Sequence, residues 1–332
     1  PLAKVIRYSY DNRYRDFVFR SRHEEISRMV FNLAIPSAEQ RADQLRRILS
    51  KMDLDYSSDK RAFFELVKGR KLAEDFESKG LANSIFEAAE ASNPPASYIL
   101  HQRAILELSH KNGSLDVAND LLRRAEIEVR KEGFTDSSIQ HTRANLLRKR
   151  ANSTKMIVEK ERFRAEARAI LKPQLKRRGN LYPENLYGLL LLDEIRDDFE
   201  HKFDGHVKTT DSLATADPTV RLINELNTLL DKSLQQRPAD GPMTLLKVEF
   251  LRALGKSPHA IGLLELYCEK NTASSSIIRV LAETLIEVER IDDAIKVLRP
   301  AVIATPGDRT LNLSLAKAVS YTHLMLPTNR EV

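Results

Sequence analysis

Apolar residues recur every three or four positions over most of this chain, the spacing that gathers them along one stripe of an α-helix. The pattern predicts helices at 38–52, 62–76 and through Ala82, Phe86 and Ala89. It continues at 98–108 and, after the turn Lys111-Asn112-Gly113-Ser114, through Ala118, Leu122 and Ala125. Asn and Gly suit such a reversal because both tolerate positive φ. Ser37 stands where a side-chain oxygen caps a helix start. Further helical patterns cover 138–150, 158–171, 183–199 and 218–236, whereas 203–217 is polar and β-branched without period and reads as a loop. Only the N-terminal segment differs: residues 15–19 (RDFVF) alternate like a short strand, RSRH follows, and 24–33 returns to helical spacing.

Small residues repeat at a fixed interval. Ala260 and Ala294 lie 34 residues apart, and so do Ala282 and Ala316. From Ser275, a first helix carries Ile278, Leu281, Ala282 and Leu285, a turn spans 289–292, and a second helix carries Ala294, Leu298 and Ala301 before Pro306 ends it. Two antiparallel helices approach closely only if small side chains occupy their crossing, with Leu and Ile on the flanks. A first-helix small residue, an alanine opening the second helix, another seven later and a closing proline, at period 34, resemble the tetratricopeptide repeat. The usual aromatic positions are mostly aliphatic here. The resemblance implies an all-α fold, a right-handed superhelix of antiparallel helix pairs, whose concave face takes a protein or peptide partner.

Residues 16–33 (DFVFRSRHEEISRMVFNL) resemble the end of the winged-helix region in STAND-class signalling ATPases, which place a helical sensor array directly afterwards. Many bacterial members act in defence against phage. That resemblance divides the chain into a short winged-helix-like piece at 1–56 and a repeat array at 57–318. It puts His23, flanked by Arg20 and Arg22, against the phosphates of ATP or ADP in a full-length parent. It also places any oligomerisation in an upstream domain. The alternative is that His23 makes only local hydrogen bonds at a helix start. The chain begins at Pro1, so upstream sequence is expected to be missing. The stretch from Ser320 (SYTHLMLPTNREV) resembles a translated sequencing adapter, and 319–332 is set aside as a non-native tail.

Composition agrees with helices packed on helices: 42% of residues are apolar, only 11 are glycine, and Trp is absent. Cys268 is the single cysteine, so no disulfide or thiolate cluster forms within one chain. The longest apolar run, near 189–192, is too short to span a bilayer, and a reducing cytoplasm is the expected compartment.

No catalytic centre and no cofactor are expected within this segment. Gly255-Lys256-Ser257 imitates part of a phosphate loop, but position 250 is Phe250 and the preceding residues have helical period, so it reads as a turn. His23-Glu24 lacks a second histidine one turn on, and His201 and His206 are weakly spaced for a metal. The acidic pairs Asp197-Asp198 and Asp292-Asp293 read as exposed helix-end charges. The net charge is +6, and Arg148, Lys149, Arg150, Lys160, Arg162, Arg164, Arg168, Lys172, Lys176, Arg177 and Arg178 crowd one region. Such a block meets nucleic-acid phosphate, or is the solvated face of two helices; the scarcity of interleaved aromatics, Phe163 alone, favours the second. Three functions follow for comparison: a STAND-type sensor, a free-standing adaptor for protein partners, and a nucleic-acid-binding repeat.

Overall fold

The computed structural model describes residues 6–11, 16–21, 31, 33–131, 137–175, 181–203 and 217–325. Apart from one hairpin, the described residues form helices, and the fold is all-α. Strands β1 (Ile6–Asp11) and β2 (Asp16–Ser21) pair antiparallel, with Ile6 opposite Ser21 and Asp11 opposite Asp16. The sequence pattern anticipated β2 and missed β1, whose alternation of Tyr and charged residues lacks an aliphatic run. The chain divides into two compact units, Pro1–Leu171 and Lys172–Val332.

In the first unit, α1 (Ala38–Leu49) starts at Ser37, whose hydroxyl accepts from the Gln40 amide. The single helix expected at 62–76 is two, α2 (Ser57–Leu66) and α3 (Gly69–Asp75). The break at Val67-Lys68 lets Gly69 begin a new helix against a neighbour, with its amide donating to Gln102 Oε1 at 3.0 Å. A methyl on Gly69 would lie 2.0 Å from the Gln102 carbonyl oxygen, so only glycine permits this crossing. Helix α4 (Lys79–Glu90) follows, then the pair α5 (Ala96–Ser109) and α6 (Leu115–Lys131), α7 (Ser137–Ser153) and α8 (Ile157–Leu175). Ala42 and Leu49 of α1 share one core with Phe63, Leu72, Ile85 and Phe86, so α1 packs with the array helices that follow it. Ala104, Ala118 and Ala125 are buried where α5 meets α6, as the repeat pattern requires.

The second unit contains α9 (Leu181–Phe203), α10 (Pro218–Gln236), α11 (Gly241–Ala253), α12 (Ser257–Lys270), α13 (Ser275–Glu287), α14 (Ile291–Ala304) and α15 (Arg309–Met325). First helices α11, α13 and α15 begin at intervals of 34 residues, and so do second helices α12 and α14. Buried positions keep that interval: Met243, Ile277 and Leu311; Leu246, Val280 and Ser314; Phe250, Thr284 and Ala318. The repeat therefore extends one helix further back than the alanine pairs revealed, to α11, because Val248 fills the slot that Ala282 fills in the next unit. The loop expected at 203–217 lies, except for its end residues, outside the described residues, and the segment beyond Ser320 continues α15 to Met325.

The turns repeat too. Gly255 and Glu289, again 34 apart, both have left-handed backbones, φ 70° and 63°. Each is followed by an amide that reaches back to the same helical position: Lys256 to the Leu251 carbonyl at 2.8 Å and Arg290 to the Leu285 carbonyl at 2.9 Å. This six-to-one closure is the Schellman motif, which terminates the first helix and sends the chain back antiparallel. The Gly255-Lys256-Ser257 fragment is thus a helix-to-helix turn.

One expectation about the alanines fails. Ala260, Ala282 and Ala294 are fully buried, but Ala316 is exposed. Ala316 occupies the face of α15 that corresponds to the buried Ala282 face of α13, and no described helix follows to cover it. The same substitution should therefore behave oppositely at the two sites. Ala282→Leu is expected to lower stability by about 1–3 kcal/mol through overpacking, and Ala316→Leu to change it by less than about 0.5 kcal/mol, as read from urea unfolding. The turn predicts a second asymmetry. Gly255→Ala should lower stability by about 1 kcal/mol, because a Cβ disfavours left-handed backbone. Glu289→Gly should raise it by about 0.5 kcal/mol, the relieved strain being partly offset by chain entropy. Loss of stability in Glu289→Gly would show that the Glu289 side chain matters more than its backbone.

Candidate partner-binding surface

Three surfaces concentrate exposed or half-exposed chemistry. The first is the row of first helices in the second unit, where outward positions change character from unit to unit while the buried register of Met243, Ile277 and Leu311 stays apolar. The register that holds Glu249 on α11 holds Glu283 on α13 and Lys317 on α15; the register of Ala253 holds Glu287. Ion pairs tie the helices across this row. Arg196 Nη2 lies 2.6 Å from Glu249, Arg252 reaches Glu249 at 2.5 Å, and its Nε donates to Glu287 on the next first helix at 3.0 Å. Burial disfavours the Arg252 charge, but the Glu287 and Glu249 carboxylates outweigh it and hold the guanidinium pKa above its ordinary value. Arg279 pairs with Glu283 at 2.7 Å within α13. Such partly exposed pairs contribute little stability singly, but together they fix which charges a partner meets.

The second surface is an open groove of about 300 Å³ in the first unit, between the end of α4, the start of α5 and the second half of α6. Its apolar part is Pro94, Ala96, Ile99, Leu100 and Ile127, and its polar part is Glu90, Asn93, Arg124 and Glu128. Tyr98, on the first turn of α5, donates its hydroxyl to the Phe64 carbonyl at 3.0 Å and stacks edge-on against the Phe64 ring. Burial, reinforced by Glu65, pushes its phenol up to about 12. That anchor fixes the start of α5 and with it the groove floor.

The third surface is the basic block of α7 and α8. Arg150 Nη2 is 2.6 Å from Asp116, and its guanidinium lies 6.0 Å from the Phe163 ring centroid. Arg162 covers the same ring at 4.9 Å, and Arg164 is buried. Burial, with Arg148 adjacent, lowers the Lys149 pKa. Within α7 and α8 the block thus includes one arginine paired with Asp116, two over the Phe163 ring and one buried, with Arg162 and Lys172 exposed. Lys176, Arg177 and Arg178 lie outside the described residues, as do Arg22, His23 and His206; Arg20 is in β2, opposite Arg7.

The polar interior is structural. His110 accepts from the Asn112 amide at Nδ1, 3.1 Å away, so its Nε2–H donates to the Glu77 carbonyl at 3.0 Å. Buried Glu107 accepts from the Ser114 amide at 2.7 Å and from Lys79 at 3.2 Å. These contacts lock the α5–α6 turn onto the start of α4. Among the described residues no cluster of three or more His, Cys, Asp or Glu side chains is placed to hold a metal ion, and no helix is long and apolar enough to cross a membrane.

No protein-family model matches the chain, and no curated protein does. Among solved structures, the crystal structure of a thermophilic TPR protein from Thermus thermophilus is similar to it at 18% sequence identity, with a TM-score of 0.44. That match covers 62% of this chain and 91% of the other.

Proposed function

We propose that this chain is a binding module whose row of first helices in the second unit recognises a protein partner. The observation that carries this reading is the separation of roles at constant register. Positions 243, 277 and 311 stay apolar and buried, whereas 249, 283 and 317 are Glu, Glu and Lys, and 253 and 287 are Ala and Glu. A surface whose side chains change without disturbing the packing beneath is what stacked repeats offer for recognition. The ion-pair ladder through Arg252 adds selectivity, since a partner that displaces one member must supply a matching charge. A photocrosslinking residue at Glu283, introduced into the source cell, should give a discrete protein adduct that disappears with Glu287→Lys. A crosslinker at exposed Glu161 on α8 should give none. Equal labelling at both positions, or none at Glu283, would refute the reading.

We further propose that the module is the sensor region of a STAND-type ATPase. Support comes from the order of elements: a hairpin, a basic stretch with Arg20, Arg22 and His23, then the helical array. In that arrangement ATP or ADP binds upstream, and His23 reaches its phosphates. The reading frame in the source DNA decides the matter. A phosphate loop followed by an acidic metal-binding strand, encoded ahead of residue 1, is the expected result; a frame lacking both leaves a free-standing adaptor.

A further inference from the structure

Asn112 and Gly113 form the only asparagine-glycine pair in the sequence, and they lie in the turn between α5 and α6. Glycine is obligatory there. A methyl on Gly113 would lie 1.8 Å from the Glu107 carbonyl oxygen and 3.0 Å from that of His110, so the end of α5 leaves room for a hydrogen and nothing larger. Glycine after asparagine makes the pair reactive. With no side chain to shield it, the glycine nitrogen can attack the carboxamide of the residue before it, which is one source of the thermal lability of asparagine. The Asn112 side chain is exposed, and among the described residues none hydrogen-bonds its carboxamide, whereas its backbone N–H is held by His110.

We infer that Asn112 is a site of spontaneous deamidation, held back while this turn is closed. In the reaction the Gly113 nitrogen loses its proton and bonds to Asn112 Cγ, the Cγ–Nδ2 bond breaks, and the nitrogen leaves as ammonia with that proton. Water then opens the succinimide ring at either carbonyl, leaving aspartate or isoaspartate. Three contacts oppose ring closure. The Gly113 N–H donates to the His110 carbonyl at 2.9 Å, which keeps the proton on the nucleophile. The Asn112 N–H donates to His110 Nδ1 at 3.1 Å, on a ring that is itself fixed by Nε2–H to the Glu77 carbonyl at 3.0 Å. The Ser114 N–H donates to Glu107 at 2.7 Å. The backbone on both sides of the pair is thus tied, and closure, which must rotate the Asn112 ψ, waits for the turn to open locally. The isoaspartyl product does not fit back. It lengthens the main chain by one methylene where Gly113 has no slack against the Glu107 carbonyl, and so draws the Ser114 amide away from Glu107. That carboxylate is only 6% exposed and keeps Lys79 as its remaining donor. A buried acceptor that loses a donor destabilises the fold around it. The site is in the first unit and does not depend on the first-helix row of the second.

Peptide mapping by mass spectrometry, on the full chain incubated at neutral pH in buffer and in urea, tests the inference. In urea Asn112 should deamidate faster than any other asparagine, and in buffer its rate should fall at least about tenfold. His110→Ala, which removes the latch but not the reacting pair, should bring the rate in buffer back toward the value in urea. If that variant does not fold, the comparison of buffer with urea on the unaltered chain decides. The isoaspartyl fraction, identified with an isoaspartyl-specific methyltransferase, should unfold at lower urea than the parent, whereas Asn112→Asp, the product with a normal backbone, should not. Equal rates in buffer and urea, another asparagine leading in urea, an unchanged rate in folded His110→Ala, or an isoaspartyl fraction no less stable than Asn112→Asp overturns the proposal.

Discussion

Close backbone contact between helices, possible only where side chains are small, is the constraint on which the rest of this structure depends. At Gly69 it is extreme: the neighbouring Gln102 carbonyl occupies the place a methyl would need, and the glycine amide bonds that same residue's side chain. Along the second unit it takes the form of buried Val248 and Ala282 at one register, with helices of 13 residues on either side of the 34-residue step. Where two helices lie this close, the larger side chains beside the contact, such as Leu246, Val280, Leu264 and Leu298, interdigitate and exclude water. That exclusion is the main source of stability for any packed helix pair. The exposed Ala316 shows the converse. A small residue buries nothing by itself; it permits burial only when another helix arrives.

Close contact also requires that the chain reverse in the same way each time. The left-handed residue at 255 and at 289 sets that geometry, and the matching amides of Lys256 and Arg290 satisfy carbonyls that a helix end would otherwise leave open. Glycine is the natural occupant, and its replacement by Glu289 indicates that the closure is strong enough to hold a residue with a Cβ in strained backbone. Polar closures do the same work in the first unit. The Glu107 carboxylate takes the Ser114 amide, and His110 bridges Asn112 to Glu77, so the turn after α5 is fixed by buried side chains instead of a positive φ.

Much of this architecture was legible because close contact leaves a trace in residue size. Alanines at 82, 89, 104, 118, 125, 260, 282 and 294 marked the packed faces, and all eight are buried. What escaped notice did so for physical reasons. Val248 performs the alanine's role with a larger side chain, so a search for small residues passed over it. The break between α2 and α3 is dictated by Gly69 meeting Gln102, a contact 33 residues distant that no local pattern contains. Strand β1 is defined by its partner across the hairpin. The sequence also could not place the members of the basic block, because a helix distributes neighbours around its axis: Arg164 is buried while Arg150 meets Asp116 from another helix. The groove was invisible for a related reason: it depends on the difference in length between α5 and α6, which appears only when both helix ends are known.

That dependence on helix ends bears on how such a chain acquires binding sites. The core register fixes which residues face inward, so outward positions vary freely, but varying them changes only the chemistry of an existing surface. Changing the length of one helix in a pair changes its shape. Three residues added to a second helix extend it by about 4.5 Å, enough to overhang the preceding loop without disturbing the crossing, because the alanines that permit the crossing lie further along the pair. Ala118 and Ala125 of α6 remain against α5 while Ile127 and Glu128 line the groove with Ile99 and Leu100 of α5. The crossing and the overhang are thus adjustable independently. A repeat scaffold can open a groove at one pair and keep the same packing at the next, and the two candidate surfaces of this chain illustrate both modes: a row defined by outward chemistry at constant shape, and a groove defined by a local departure from it.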